Sequence, residues 1–390
     1  MIKSIAILTS TRAEYGLLKP IIDALGSAKT FDVKVLVTGT HLSESFGFTC
    51  KEIEADGVII DAKIDILSQN DTPEAVSNSM AAALMGFSEY FSKSRPDALL
   101  VLGDRYETLA VCCAAMNSCI PIIHLHGGET TQGAIDEAVR HSITKMSHIH
   151  FTSNEIHRKR VIQLGENPSR VFNVGATGVE NVLKTQFMSK KELEKSIDFK
   201  LDKAFGLVTF HPVTLEAASA AKQFEELEKA LEYFDDMEFI ITKANADAGG
   251  RTINDMIDKF CEGHQNIVAF ASLGMTRYLS AMKQCSVVIG NSSSGIIEAP
   301  SFKVTTVNIG IRQKGRMQAM SVINCGCRRE YIINAIKKAR SETFAKILPH
   351  VINPYGDGNT SQKIAEILER VFEEGNISLE KEFYDVNFNI

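Results

Sequence analysis

Residues 101–141 read V-L-G-D-R-Y-E-T-L-A-V-C-C-A-A-M-N-S-C-I-P-I-I-H-L-H-G-G-E-T-T-Q-G-A-I-D-E-A-V-R-H. The run from Asp97 to Leu102 stops at Gly103 and releases Asp104 and Arg105. A helical pattern follows, then a second apolar run, Ile120 to Leu125, which releases His126, Gly127, Gly128 and Glu129. A second helical pattern carries Asp136, Glu137, Arg140 and His141. Asp136 with Arg140, and Glu137 with His141, stand four apart, so each pair shares a helix face. Two neighbouring parallel strands would bring these groups to one sheet edge, the ligand crevice of an open α/β sheet. Loop polarity or a helix cap accounts for one such residue. Ionisable groups after two successive strands point to a site.

The pattern repeats on both sides of this stretch. Ser4 to Thr9 reads as a strand and runs into T-R-A-E-Y-G (11–16), after which Leu17, Leu18, Ile21, Ile22 and Leu25 give a helix one apolar face. Arg12 therefore stands at a helix start, where the dipole slightly disfavours a cation, and an anionic ligand would remove that conflict. Asp32 to Thr38, His148 to Ser153 and Val171 to Val174 are further strands, with a long helical pattern from Thr72 to Phe91 and Asn154 capping another helix. After a charged helical stretch, Lys184 to Asp202, the alternation resumes with Phe205 to Phe210, Glu238 to Thr242, Ile267 to Phe270, Ser286 to Gly290 and Val304 to Asn308. Alternating strand and helix predicts doubly wound parallel sheets, and 390 residues suffice for two such domains.

Composition narrows the function classes. The chain is 44% hydrophobic and 23% charged, with net charge −6 and no long basic run, so nucleic acid is not an expected partner. Met1-Ile2-Lys3 leads straight into a strand-like run, with no signal peptide and no apolar stretch long enough to cross a bilayer. Eight scattered cysteines read as small buried hydrophobes, and Cys325-Gly-Cys327 lacks a second ligand pair nearby for zinc. The expectation is a cytoplasmic protein with no membrane partner. No G-x-G-x-x-G fingerprint follows the first strand, which argues against a nicotinamide or flavin enzyme.

The second half carries its own candidate site. G-N-S-S-S-G-I-I-E-A-P (290–300) follows a strand. Glycines allow close backbone approach, amides point at an anion, and Ser292, Ser293 and Ser294 donate further hydrogen bonds. This is not a Walker A loop, because no Gly-Lys-Ser/Thr follows. Arg312, Lys314 and Arg316 lie in a second glycine-punctuated loop, G-I-R-Q-K-G-R (310–316), and form a candidate diphosphate clamp. His211-Pro212 ends another strand and exposes an imidazole.

Taken in order, T-R-A-E-Y-G (11–16), L-G-D-R-Y-E (102–107), H-L-H-G-G-E (124–129), I-D-E-A-V-R-H-S-I-T-K (135–145), His211-Pro212, N-A-D-A-G (245–249), G-N-S-S-S-G (290–295) and R-Q-K-G-R (312–316) resemble the hydrolysing UDP-N-acetylglucosamine 2-epimerases. The match is to the bacterial branch of sialic acid biosynthesis and spans residues 3 to about 370. The resemblance implies a GT-B fold, with two Rossmann-like domains facing a cleft. The first covers residues 1–175, completed by the C-terminal helix from about 361 to 390. The second, 176–360, holds UDP. It implies a homodimer or homotetramer that needs neither nicotinamide nor metal. The wider family carries Glu where this chain has His126, whereas the bacterial hydrolysing branch resembles this chain there.

The implied reaction removes the C2 proton of the sugar as UDP leaves C1, then hydrates the 2-acetamidoglucal to give N-acetylmannosamine. Asp104 and Asp136 are the expected proton-transfer pair, with His126 or Glu129 handling water and Arg105 anchoring the sugar or a carboxylate. His211, Arg12 and Arg312 are expected to stabilise the leaving diphosphate, together with the serine loop. Ala13, Tyr15, Asn245, Asp247, Ser292, Ser293, Ser294, Gly295, Glu298 and Arg316 complete the expected UDP-sugar contacts, Glu298 holding the ribose. The same chemistry on UDP-2,4-diacetamido-2,4,6-trideoxyglucose is the nearest alternative. A GT-B glycosyltransferase is the next.

Overall fold

The computed structural model describes residues 2–68, 72–131, 135–212, 217–244, 250–375 and 377–387. The chain divides into two compact units, one of Met1–Glu129, Ile135–Asn181 and Tyr355–Ile390, the other of Thr130–Ala134 and Val182–Pro354.

The N-terminal unit is built on β1 (Lys3–Thr9), β2 (Phe31–Thr38), β3 (Ile60–Ile64), β4 (Ala98–Leu102), β5 (Ile122–Leu125), β6 (Ile149–Thr152) and β7 (Val171–Asn173). They form one parallel sheet in the order β3-β2-β1-β4-β5-β6-β7. Because side chains alternate across a strand, the central strands β1, β2, β4 and β5 each feed two cores. Ile5, Ile7, Val35, Val37, Leu100 and Ile123 pack with Leu18, Ile21 and Leu25 of the helix Arg12–Ser27. Ala6, Leu8, Leu36, Leu99 and Val101 pack instead with Ala83 and Phe87 of the helix Pro73–Lys93 and with Val111 and Ala115 of the helix Tyr106–Asn117. Burial on both faces is why these strands read as continuous apolar runs. The last helix, Thr360–Glu373, adds Ile364, Leu368 and Phe372 to the first of these cores. Its N-terminus is fixed by Glu180, fully buried, which accepts from the Ser361 amide at 2.6 Å and from the Ser361 hydroxyl. A carboxylate there satisfies amides that the helix itself cannot.

The C-terminal unit repeats the plan with β8 (Ala204–Thr209), β9 (Met237–Thr242), β10 (Ile267–Phe270), β11 (Val287–Gly290), β12 (Thr306–Ile309) and β13 (Val322–Cys325), parallel in the order β10-β9-β8-β11-β12-β13. Val208, Ile241, Ile289 and Val307 face the helices Ala217–Leu231, Gly250–Glu262 and Arg329–Ala339, while Leu207, Ile240 and Val288 face the helices Lys190–Ile197 and Gly274–Gln284. β13 and the helix Arg329–Ala339 are additions to the elements read above. The strand is four residues long at a sheet edge, and Asn324 interrupts its apolar pattern.

Strand order reverses between β1 and β4 in the first sheet and between β8 and β11 in the second. At such a switch point successive connections leave on opposite faces and open a crevice at the carboxyl ends of the strands. Arg12, Glu14, Asp104 and Arg105 follow the first pair of strands; His211 and Asn291 to Ser294 follow the second. Among the described residues, no helix is long and apolar enough to cross a membrane.

Candidate active site

β4 and β5 are adjacent and parallel, with Leu102 beside Leu125, so the segments beginning at Gly103 and His126 leave one edge together. Both turn at once through left-handed backbone: Gly103 has φ 82° and His126 has φ 65°. Asp104 is ion-paired with Arg140, which comes from the helix Asp136–Met146. The Arg140 guanidinium is buried and also donates to Glu129 O at 2.9 Å and Glu137 Oε2 at 3.2 Å. A guanidinium cannot shed its proton, so burying it demands such partners. Glu137 also meets His141 Nε2 at 3.4 Å. Asp136 is the first residue of the same helix and is half-buried.

Arg105 stands between two acids. Its Nε lies 2.5 Å from Glu107 Oε1 and 4.0 Å from Glu14 Oε1. Both acids are buried, and Glu107 Oε2 has no hydrogen-bond partner among the described residues. Glu14 Oε2 accepts from the Ser10 amide at 2.9 Å and the Ser10 hydroxyl at 2.7 Å. Burial raises the Glu14 carboxyl above the usual range against the pull of Arg105. Arg12 meets Glu52 Oε2 at 2.9 Å, so a carboxylate of the protein already answers the cation at this helix start. Ala13 is exposed on the first turn. Tyr15 is only 5% exposed; its ring lies in the core and its hydroxyl donates to Asp56 Oδ2 at 2.8 Å, a packing position.

His126 leads into a buried polar group. Its Nδ1 is 3.6 Å from Glu129 Oε1 and its Nε2 3.4 Å from Thr177 Oγ1. Glu129 Oε1 accepts from Ser153 Oγ at 2.9 Å, and Ser153 Oγ is 2.8 Å from His157 Nδ1. The carboxylate of Glu129 is thus turned inward and its residue is only 5% exposed. Gly128, at φ 77°, is pressed against the helix Glu155–Gln163: a Cβ there would stand 2.4 Å from His157 O. Arg160 of that helix donates to Gly128 O. Behind the turn, buried His124 sits 2.8 Å from Gly103 O, and burial pushes its imidazole down to about 3.

In the C-terminal unit, Gly290 ends β11 at φ 131°, where a Cβ would lie 1.9 Å from Thr209 O; only glycine fits. Buried Asn291 then grips the other strand end, its Oδ1 accepting from the His211 amide and its Nδ2 donating to His211 O, each at 2.7 Å. Asn291 O accepts from Arg312 Nη1 at 3.2 Å and Gln313 Nε2 at 2.8 Å. One asparagine thereby ties the serine loop, the His211 loop and the basic loop together. Burial, with the Arg312 charge beside it, pushes His211 down to about 3, so it is a neutral hydrogen-bonding group and not a cation for a diphosphate.

Ser292, Ser293 and Ser294 are half-buried, and the Ser294 amide reaches Ser292 Oγ at 3.3 Å. The helix that follows, Ser294–Ile297, is a single turn running into the 3-10 turn Ala299–Phe302. Any anion site here rests on loop amides and hydroxyls, with little helix dipole behind it. Gly295 packs under β12, its carbonyl accepting from Thr306 Oγ1 at 2.7 Å. Glu298 accepts from the Ser294 hydroxyl; burial raises its carboxyl to about 7, against that bond and the Arg316 charge. Arg316 Nε donates to Thr130 O at 3.3 Å. Asn245 and Asp247 lie outside the described residues.

Several members of these groups carry no expectation from sequence. Glu14, Glu107, Ser153, His157, Asn291 and Gln313 are all buried polar residues. The usable signal is the cost of burying such groups: a Glu or Asn inside an otherwise apolar turn must have a partner.

Residues 23–369 match the family model described as UDP-N-acetylglucosamine 2-epimerase. A Campylobacter jejuni protein named GDP/UDP-N,N'-diacetylbacillosamine 2-epimerase (hydrolyzing) is 43% identical over 83% of this chain and 84% of its own. Polysialic acid biosynthesis protein P7 of Escherichia coli is 39% identical over 98% of each chain. The crystal structure of UDP-GlcNAc 2-epimerase from Neisseria meningitidis bound to UDP-GlcNAc matches with a TM-score of 0.79, at 19% identity, over 94% of this chain and 100% of that one. At that identity the likeness is one of fold, the two-domain α/β fold of the GT-B class.

Proposed function

Because the chain belongs to the UDP-N-acetylglucosamine 2-epimerase family, we propose that it is a hydrolysing 2-epimerase that converts UDP-N-acetylglucosamine and water to N-acetylmannosamine and UDP. The observation that carries this reading is the Asp104–Arg140 pair beside His126 at the edge of β4 and β5. A carboxylate held by a buried guanidinium is a placed proton acceptor, and the second half of the reaction needs an imidazole nearby.

In the first step a carboxylate takes the proton from C2, the C1–O bond breaks, and its electron pair leaves with UDP. The product is 2-acetamidoglucal. In the second, water adds its oxygen to C1 and a proton reaches C2 from the opposite face, which inverts that carbon. Asp104 and Asp136 serve as the proton-transfer pair. His126 handles the water, since the Glu129 carboxylate is committed inward to Ser153. The loops around Asn291 carry the diphosphate: Arg312 supplies charge, His211 a neutral hydrogen bond, Ser292 to Ser294 hydroxyls and amides, and Glu298 the ribose contact.

A second reading keeps the chemistry and changes the sugar to UDP-N,N'-diacetylbacillosamine, and the 43% identical Campylobacter protein favours it. The P7 relative, alike over 98% of both chains, supports a product destined for a sialic-acid-type surface polysaccharide. The test is to incubate the purified protein with each UDP-sugar in D₂O and record proton spectra. Free manno-configured sugar carrying deuterium at C2, with UDP, is expected from one substrate. The absence of both UDP release and C2 exchange with both sugars would refute the reading.

A further inference from the structure

We propose that Ser153 and His157 are positioning residues for His126, acting through Glu129. The inference rests on the water-handling role given to His126 above. It starts from the direction of the hydrogen bonds. Ser153 has one hydroxyl hydrogen, and it points to Glu129 Oε1 at 2.9 Å. The 2.8 Å contact between Ser153 Oγ and His157 Nδ1 therefore has the imidazole as donor. The other ring nitrogen takes the opposite part: the Asn154 Nδ2 group, a donor only, lies 3.5 Å from His157 Nε2, which therefore presents its lone pair. Asn154 is fixed in turn, since its Oδ1 accepts from the His157 amide at 2.9 Å.

The result is a one-way relay: Asn154 donates to His157, His157 to Ser153, and Ser153 to Glu129. Its last acceptor, Glu129 Oε1, faces His126 Nδ1 at 3.6 Å. A carboxylate so held favours hydrogen on His126 Nδ1 and leaves Nε2, on the Thr177 side, as the basic atom. An acceptor at Nε2 is what activating water for attack at C1 requires.

The backbone supports the same arrangement. His126 is held left-handed at φ 65°, and Gly128 admits no side chain because the His157 carbonyl is in the way. The helix carrying His157 thus clamps the His126–Glu129 turn through its carbonyl, through Arg160 and through the relay itself. All four relay residues, Asn154, His157, Ser153 and Glu129, are buried, so water does not compete for these bonds.

The test uses the full-length protein and two readouts. In UDP-release kinetics, Ser153→Ala is expected to lower kcat on the order of 10- to 100-fold with KM within about twofold, since a misaligned group costs turnover more than binding. His157→Phe should match it. His157→Asn, which keeps a donor near the place of Nδ1, should recover most of the loss. Adding Ser153→Ala to His126→Asn should cost nothing further. Nitrogen-15 spectra of histidine-labelled wild-type protein should show His157 and His126 both as Nδ1–H tautomers. An Nε2–H tautomer at His157, an unchanged kcat in Ser153→Ala, or the same Ser153→Ala loss in the His126→Asn background would overturn the proposal. Full turnover in His126→Asn would instead refute the catalytic role of His126, while the tautomer measurement still decides the relay.

Discussion

The Arg140 guanidinium, buried on the helix Asp136–Met146, pairs with the Asp104 carboxylate released by β4, a contact across 36 residues of sequence. The carboxylate is partly open, at 28% side-chain exposure against 2% for Arg140. The cation is thus the fixed member and the acid the one that reaches out. Arg140→Met should keep the packing and lose the anchor, lowering turnover by roughly 10²-fold, the cost of a displaced catalytic group. Asp104→Asn should destabilise the N-terminal unit more than Arg140→Met does, by roughly 1 kcal/mol, because it leaves the buried cation with Glu137 as its one carboxylate named above, where methionine removes the cation altogether. Amide exchange in urea reads the stability and UDP release reads the turnover. Equal destabilisation by the two variants would show that the pair is not the burden on the fold described above.

The Glu298 carboxyl, raised to about 7 by burial, makes UDP binding depend on pH. A ribose hydroxyl donates to a carboxylate, so binding favours the deprotonated acid. The sign follows: affinity rises as pH climbs toward 7 and levels off above it. From pH 6 to pH 8 the gain attributable to Glu298 is about tenfold. UDP also titrates, so calorimetry on Glu298→Gln over the same range supplies the baseline. Identical pH dependence in the two proteins would remove Glu298 from the ribose contact.

Acid should loosen the N-terminal unit first. Burial lowers His41 to about 4, His124 to about 3 and His148 to about 4. Folded, they stay neutral; unfolded, they bind protons as pH falls through 6.5. Stability is therefore present above that value and drains below it, by about 1 kcal/mol per histidine between pH 6.5 and 5.5. Glu14 works the other way but is a single group. In the C-terminal unit His211 is opposed by Glu298, which takes up a proton in the fold. Amide exchange at pH 5.5 should lose protection in residues 2–129 and 135–181 sooner than in 182–354. The reverse order would contradict these burial effects.

Sequence makes the edge of β4 and β5 visible because a strand buried on both faces admits few polar residues. Ala98–Leu102 and Ile122–Leu125 are buried throughout and apolar but for one histidine, so Asp104 and His126 stand out where burial ends. The serine loop shows for the same reason after Val287–Gly290. The partners that hold these groups are hidden by a different logic. Ser153 and Asn154 look like a helix cap, and Asn154 is one, accepting from the His157 amide; nothing in the spelling tells that Ser153 reaches back 24 residues to Glu129. Asn291 looks like one more polar residue of a loop, and its grip on His211 spans 80 residues. Arg12 and Glu52 are similarly remote, so the cation at the first helix start reads as unanswered until the fold brings them together. Local pattern reports where burial ends, while pairing between turns depends on strand order.

Asn291 is the residue whose loss should be felt most widely in the C-terminal unit. Its amide satisfies both backbone polar groups of His211, and its carbonyl receives Arg312 and Gln313. Asn291→Ala keeps the carbonyl and strands a buried N–H and C=O at His211, a cost of roughly 2–3 kcal/mol if nothing else reaches them. Relaxation of the His211 loop should relieve part of that and carry the imidazole away from the serine loop. UDP affinity should then fall about tenfold, equivalent to ~1.4 kcal/mol. The His211 amide, now without its acceptor, should exchange fastest of the residues at the end of β8. Asn291→Asp separates the two bonds: it keeps the acceptor for the His211 amide and loses the donor to the carbonyl, so His211 exchange should stay slow while UDP, an anion, binds less well. If Asn291→Ala binds UDP as wild type does while the His211 amide exchanges freely, the His211 loop plays no part in holding the diphosphate.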